Sequence, residues 1–156
     1  MTVEINEAEW ANAHRLLDAV DRSVRKAATE EALKKASEVV VHAAKREVPQ
    51  PGYPGDDPSK KPLRDTIAFV VREYEQTGTF VAVIGPQYPA GAHAHLVHEG
   101  HDIWLPSPPF TEGADTINTG RRTEPDPFLE RASDNTASMQ AQVIVSTLTQ
   151  FAESVR

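Results

Sequence analysis

The sequence contains no cysteine. Without thiols there is no disulfide framework, no thiolate zinc site and no cysteine nucleophile, and the chain suits assembly in a reducing cytosol. No apolar run approaches the roughly 20 residues that a membrane-crossing helix needs. The opening Met1-Thr-Val-Glu-Ile-Asn-Glu7 is polar and acidic, unlike a signal peptide. Basic charge is in deficit: 16 Lys and Arg stand against 23 Asp and Glu, a formal net charge of −7. A protein that grips DNA through its phosphates needs a basic surface, and this balance does not supply one. The short basic pairs Lys34-Lys35, Lys45-Arg46, Lys60-Lys61 and Arg121-Arg122 read as solvated surface. Asp56-Asp57 beside Ser59-Lys60-Lys61 reads as a charged loop, with a phosphate or nucleic-acid contact as the alternative. Also missing are the nucleophile elbow G-x-S-x-G, the phosphate-cradling G-x-x-x-x-G-K-[ST] and the dinucleotide fingerprint G-x-G-x-x-G.

What is present is an ordinary globular composition, 39% hydrophobic and 25% charged over 156 residues. That length fits one domain, residues 1–156, with a real core. No internal repeat is visible. Asn6 and Glu9 resemble a capping box, and Trp10, Ala13, Leu17, Val20 and Val24 recur at helical spacing. Thr29 is positioned to cap a second helix, continuous with the first or separate, whose inner face is Ala32, Leu33, Ala36, Val40, Ala43 and Ala44. Its alanines predict close packing against a sheet, and Pro49 with Pro51 stops it.

Residues 49–62 hold five prolines and two glycines, which reads as a long loop or arm. Thr66–Tyr74 and Thr79–Ile84 are rich in β-branched and aromatic residues, and Glu75-Gln-Thr-Gly78 between them predicts a hairpin. Residues 101–126, with four prolines, read as a second long irregular loop carrying Trp104 and Phe110 towards another subunit. Asp126-Pro127 then opens a last helix, Asp as N-cap and Pro at the first helical position. Its apolar stripe is Ala137, Ala141, Ile144, Leu148, Phe151 and Val155.

The one cluster that looks like chemistry is H-x-H-x-x-H-E-x-H, formed by His93, His95, His98, Glu99 and His101. Imidazoles and carboxylates ligate zinc, nickel or iron. Read as a third strand, the segment places His93, His95, Val97 and Glu99 on one face, so that His93, His95 and Glu99 could meet one metal. The pattern is not the helical H-E-x-x-H of zinc peptidases, and no second acidic cluster completes a site. Ordinary strand histidines are the favoured reading, and a metal-dependent enzyme is the alternative.

The order of signals carries further information. Leu63-Arg-Asp-Thr-Ile67 follows the proline-stopped helix. Then come Val83-Ile-Gly-Pro86, Ala94-His-Leu-Val-His-Glu-Gly100 and Pro125-Asp-Pro-Phe-Leu-Glu-Arg-Ala132. Over roughly residues 30–150 this resembles the tail-component family of long-tailed phages, the tail completion or head-to-tail joining proteins. Lys60-Lys61-Pro62 departs from the threonine-glycine pair common before the leucine, and His101 stands where a threonine is common.

The resemblance implies an α+β fold, with an antiparallel sheet of about three to four strands packed by N- and C-terminal helices. It implies a homo-oligomeric ring, usually six-fold, in the neck of the virion, assembled in the bacterial cytoplasm. Its partners would be a head-side connector or head-closure protein on one side and a tail terminator or tail-tube protein on the other. The genome would pass through without sequence-specific binding, and the subunit's negative charge would limit sticking. No enzymatic activity, cofactor, metal or membrane is implied. Leu63, Ile67, Gly85, Pro86, His95, Glu99, Gly100, Pro127, Phe128 and Leu129 become structural positions. A tail terminator ring is the near alternative, and a host protein-binding module that uses the arms is a more distant one.

Overall fold

A computed structural model describes residues 7–18, 22–48, 62–92, 94–106 and 116–154. Asn6, Val20, the arm at 49–61, His93, Phe110 and Val155 lie outside these residues, and so does the join between the first two helices. The elements, in order, are α1 (Glu7–Asp18), α2 (Arg22–Glu47), the single turn α3 (Leu63–Thr66), β1 (Ile67–Tyr74), β2 (Thr79–Pro86), α4 (Ala94–Glu99), β3 (Asp102–Pro106), β4 (Thr116–Arg122) and α5 (Phe128–Ser154).

The frame is an antiparallel pair of long helices. At 26 and 27 residues, α2 and α5 are each about 40 Å long, from the 1.5 Å rise per residue. Ala28 and Ala32, early in α2, pack with Leu148, Ile144 and Phe151, late in α5. Ala43, Ala44 and Val48 at the other end of α2 pack with Phe128 and Ala132 at the start of α5. Small side chains at these positions let the helix surfaces approach closely. The buried hydroxyls of Ser37 and Thr136 turn back to their own helices, donating to the carbonyls of Leu33 and Ala132 at 2.7 Å each, so they need no partner across the seam. α2 does touch β1 and β2, as its alanines predict, but its main partner is α5. Thr29 is not a cap. The helix starts earlier, at Arg22, and the Thr29 hydroxyl donates to the Arg25 carbonyl from inside it. Trp10 does not join the core either: it is exposed, with its ring edge-on to His14.

β1 and β2 form the expected hairpin in full register, from Ile67 opposite Pro86 to Tyr74 opposite Thr79. The turn closes with the Gly78 N–H donating to the Tyr74 carbonyl, and Gly78 adopts φ +66°. Phe69 and Ile84 face the core, whereas Val70, Tyr74, Val81 and Val83 are exposed on the outer face. Lys26 of α2 forms an ion pair with Glu73 of β1.

The fold is α+β with four antiparallel strands, as expected, but among the described residues they do not form one sheet. The strands make two separate two-stranded antiparallel sheets, β1–β2 and β3–β4. The histidine segment, expected as the strand between them, is the helix α4, so among the described residues no strand bridges β2 and β3. The stretch 101–126 is correspondingly less irregular than its prolines suggest, because it contains both β3 and β4. Pro106 closes β3 without interrupting it, and Gly120, at φ +70°, lies within β4.

Phe128 and Ile67 are the largest fully buried side chains, and Phe128 sits where α2, α3, β1, α4 and α5 converge. Phe128→Ala should cost about 3–5 kcal/mol through lost burial and the cavity left behind. Urea unfolding followed by far-ultraviolet circular dichroism measures this, and an unchanged midpoint would contradict the placement.

Candidate functional site

The histidine segment follows a tight turn. The Gln87 N–H donates to the Thr66 carbonyl (2.9 Å), the Gly91 N–H to the Gln87 carbonyl (2.7 Å) and the Ala94 N–H to the Gly91 carbonyl (3.0 Å). Gly91 is buried, and a Cβ there would stand 2.5 Å from Pro86 Cβ and 2.9 Å from Thr66 Oγ1. The turn therefore lies flat on the end of the first hairpin, and the chain leaves it as α4. Ala94 is buried and Val97, three residues on, packs against the same core, so the helix has one inward side. His95 and Glu99 share an outward side one turn apart, and both are exposed.

The helix disperses the histidines. His95 Nδ1 donates to the Ala92 carbonyl at 2.7 Å. His98 Nε2 lies 3.7 Å from Glu130 Oε1 on α5. His101, beyond the end of the helix, places Nδ1 3.1 Å from Thr123 Oγ1 and 3.3 Å from the Leu96 carbonyl. Three described imidazoles thus have three different partners. Among the described residues no three His, Asp or Glu side chains are grouped to hold a metal. Of the trio His93, His95 and Glu99, His93 lies outside the described residues, and His95 and Glu99 stand on a helix and not on a strand.

What the geometry does build is a latch at the C-terminal end of α4. Arg122 Nη2 donates to the carbonyls of Glu99 and Gly100 at 3.2 Å each, a cation on the last helical carbonyls. The Asp126 N–H donates to the Val97 carbonyl at 3.0 Å. The His101 N–H donates to Thr123 Oγ1, and the Thr123 N–H donates back to the His101 carbonyl, both at 2.9 Å. Gly100 reverses the chain at φ +70°. A Cβ on it would run into the Thr123 carbonyl oxygen. The base of the β3–β4 hairpin is thereby fastened to the end of α4.

A second cluster fixes the start of α5. Pro127 stands immediately before the first helical residue, and its carbonyl accepts from the Arg131 N–H at 3.1 Å. The Asp126 carboxylate, expected as an N-cap, instead faces Arg131 Nη2 at 2.5 Å. Its buried Oδ1 has no well-aligned donor, so the contact is an ion pair rather than a shaped hydrogen bond. Arg131 Nε donates to Glu47 Oε2 at 3.2 Å, and Asn135 Nδ2 to Glu47 Oε1 at 2.9 Å, tying the end of α2 to the start of α5. Asp126 first, then Glu47, holds the guanidinium above its ordinary pKa. The sequence pattern flagged none of Glu47, Arg122, Thr123 or Asn135. The Arg121-Arg122 pair was visible, but it read as solvated surface.

These contacts brace and orient the elements that meet at α4. Residues 13–100, more than half of the chain, match the family model described as bacteriophage HK97-gp10, tail-component. The chain belongs to this HK97-gp10-like family. The matched stretch runs from Ala13 in α1 through both strands of the first hairpin to the Gly100 turn, so β3, β4 and α5 follow it. No curated protein and no solved structure matches the chain. As a phage tail component, this HK97-gp10-like chain is a structural part of a virion, and other virion proteins are its neighbours.

Gly100→Ala should destabilise the protein by about 1–3 kcal/mol, because it combines left-handed backbone with a blocked Cβ. Thr123→Val, which removes the acceptor of the His101 N–H, should cost about 0.5–1.5 kcal/mol. Chemical denaturation of both variants checks these values, and a neutral Gly100→Ala would remove the latch from the account.

Proposed function

We propose that this tail component is one domain over residues 1–156 that assembles into a six-fold ring in the neck of the particle. There it joins the head-side connector or head-closure protein to the tail terminator or tail tube, and the genome passes through its centre. The observation that carries the reading is the outer face of the first hairpin. Val70 and Val83, directly opposite one another, are 49% and 54% exposed, and Val81 and Tyr74 extend the patch. Contiguous exposed apolar surface marks a protein contact.

A rotational ring uses two different surfaces of each subunit, which suits a chain with two unlike hairpins. Net negative charge repeated around a channel disfavours adhesion of the DNA backbone. The braced positions at Gly100, Phe128 and Leu129 serve rigidity, and the chain performs no chemistry. This assignment gives the histidines no metal to hold.

Electron microscopy of lysates from a phage with this gene interrupted tests the reading. Filled heads beside free tails of normal length are the expected outcome. Free tails of uncontrolled length would transfer the chain to the tail terminator role, since a missing cap leaves tube growth unlimited. Intact particles would overturn both assignments.

A further inference from the structure

Among the described residues, the hydrogen bonds that tie the β3–β4 hairpin to the rest of the chain are at its base. Among the described residues no helix packs along it, nor does the β1–β2 sheet. A two-stranded hairpin without a covering layer is marginally stable in water. This one also exposes a large apolar side chain on each face. Trp104 pairs with Asn118 and is 55% exposed; Ile117 pairs with Leu105 on the opposite face and is 53% exposed. Laying one face on a flat surface would leave the other residue in water.

The β1–β2 hairpin has the complementary deficit. Among the described residues each of its strands pairs on one side only, and the charges on β1, Arg72 and Glu73, lie towards its turn end, leaving the apolar run Ile67–Val71 along the edge. Such an edge is a template for another strand. One of its faces is covered by α2, and the other carries the valine patch.

We infer that the β3–β4 hairpin of one copy adds edgewise to the β1–β2 sheet of a second copy of this chain, completing a four-stranded sheet between subunits. Edgewise addition explains the two-faced hairpin. One face comes to lie beside the neighbour's valines, giving Trp104 apolar company, and the other comes to lie on the side of the neighbour's α2, which receives Ile117. The charges are complementary: Arg121 on β4 has no side-chain partner among the described residues, and Glu75, beside the Glu73 that pairs with Lys26, stands exposed at the turn end of the first hairpin. A second copy fits better than an unrelated protein because every chain offers one free hairpin and one free sheet. Head-to-tail use of the two satisfies all of them only when the chain of contacts closes.

The inference rests on the ring reading but is tested separately from it. With no native cysteine, introduced thiols are unambiguous. Phage particles carrying the double variant Val83→Cys, Thr116→Cys are treated with a short bifunctional maleimide. A ladder of cross-linked multimers is expected from the double variant and none from either single variant. Particles that contain normal amounts of the subunit but yield no ladder would overturn the interface while leaving the neck assignment standing. A dimer from Val83→Cys alone would overturn it in favour of a face-to-face contact. Adding Trp104→Ala should abolish the ladder without changing the melting temperature of the isolated chain. A lowered melting temperature would mean that Trp104 packs on its own subunit, which also overturns the inference.

Discussion

The close approach of α2 and α5 sets everything else in place. Two helices about 40 Å long can lie together over most of their length only if side chains at the seam are small, and here they are alanine, serine and threonine, with larger residues confined to the two ends. At one end Phe128 fills the space that the alanines leave. At the other, Leu148 with Ile144 and Phe151 does so. The ion pairs at Glu47, Asp126 and Arg131 then fix the rotation of α5 relative to α2 at the end where the first hairpin, α4 and the latch all meet. These pairs are partly exposed, so their value lies in geometry more than in energy.

How much of this could be read in advance depended on the length of each signal. The inner face of α2 was legible because Ala32, Leu33, Ala36, Val40, Ala43 and Ala44 repeat over several turns; all are buried except Leu33, which is half-buried. The first hairpin was legible because two β-rich runs flank a four-residue turn with glycine. α4 was not. Six residues span less than two turns, too short for periodicity to separate helix from strand. The decision is tertiary, made by the buried turn at Gly91 and by the Arg122 contact on the last carbonyls. Thr29 misled for a related reason: a threonine hydroxyl satisfies a backbone group equally well by capping a helix or by bonding back to the preceding turn. The prolines of 101–126 hid two strands, although only Pro106 falls within either, and there at the terminal position.

The strand reading of the histidine segment fails for the same reason. Alternation along a strand would have put His93, His95 and Glu99 together. A helical turn sends His95 to a backbone carbonyl, His98 towards Glu130 and His101 to Thr123. Two of those partners are informative. Glu130 lies on α5 and Thr123 at the end of β4, so the histidine segment bridges the last helix and the second hairpin. The segment looked like a site because it is dense in polar side chains, and those side chains are dense because three elements converge there.

That convergence separates two tasks within one small chain. The helix pair and the inner face of the first hairpin bury the large apolar residues and account for folding. Among the described residues the second hairpin adds no side chain to the core clusters, yet its base is fastened by Arg122, Thr123 and the Gly100 turn, so its direction is set while Trp104 and Ile117 stay exposed. A projection that is rigid at its root and unsatisfied along its length is poorly suited to an isolated chain and well suited to one whose neighbour supplies the missing strands. The same logic explains why the sheet that the sequence pattern leads one to expect is absent from the single subunit. Its two halves are present as separate two-stranded sheets, β1–β2 in full register and β3–β4 with a register shift between Asp102 and Trp104. In the proposed assembly a second copy brings a β3–β4 edge to a β1–β2 edge, so that sheet completion belongs to the assembly and the fold of the monomer to the helices.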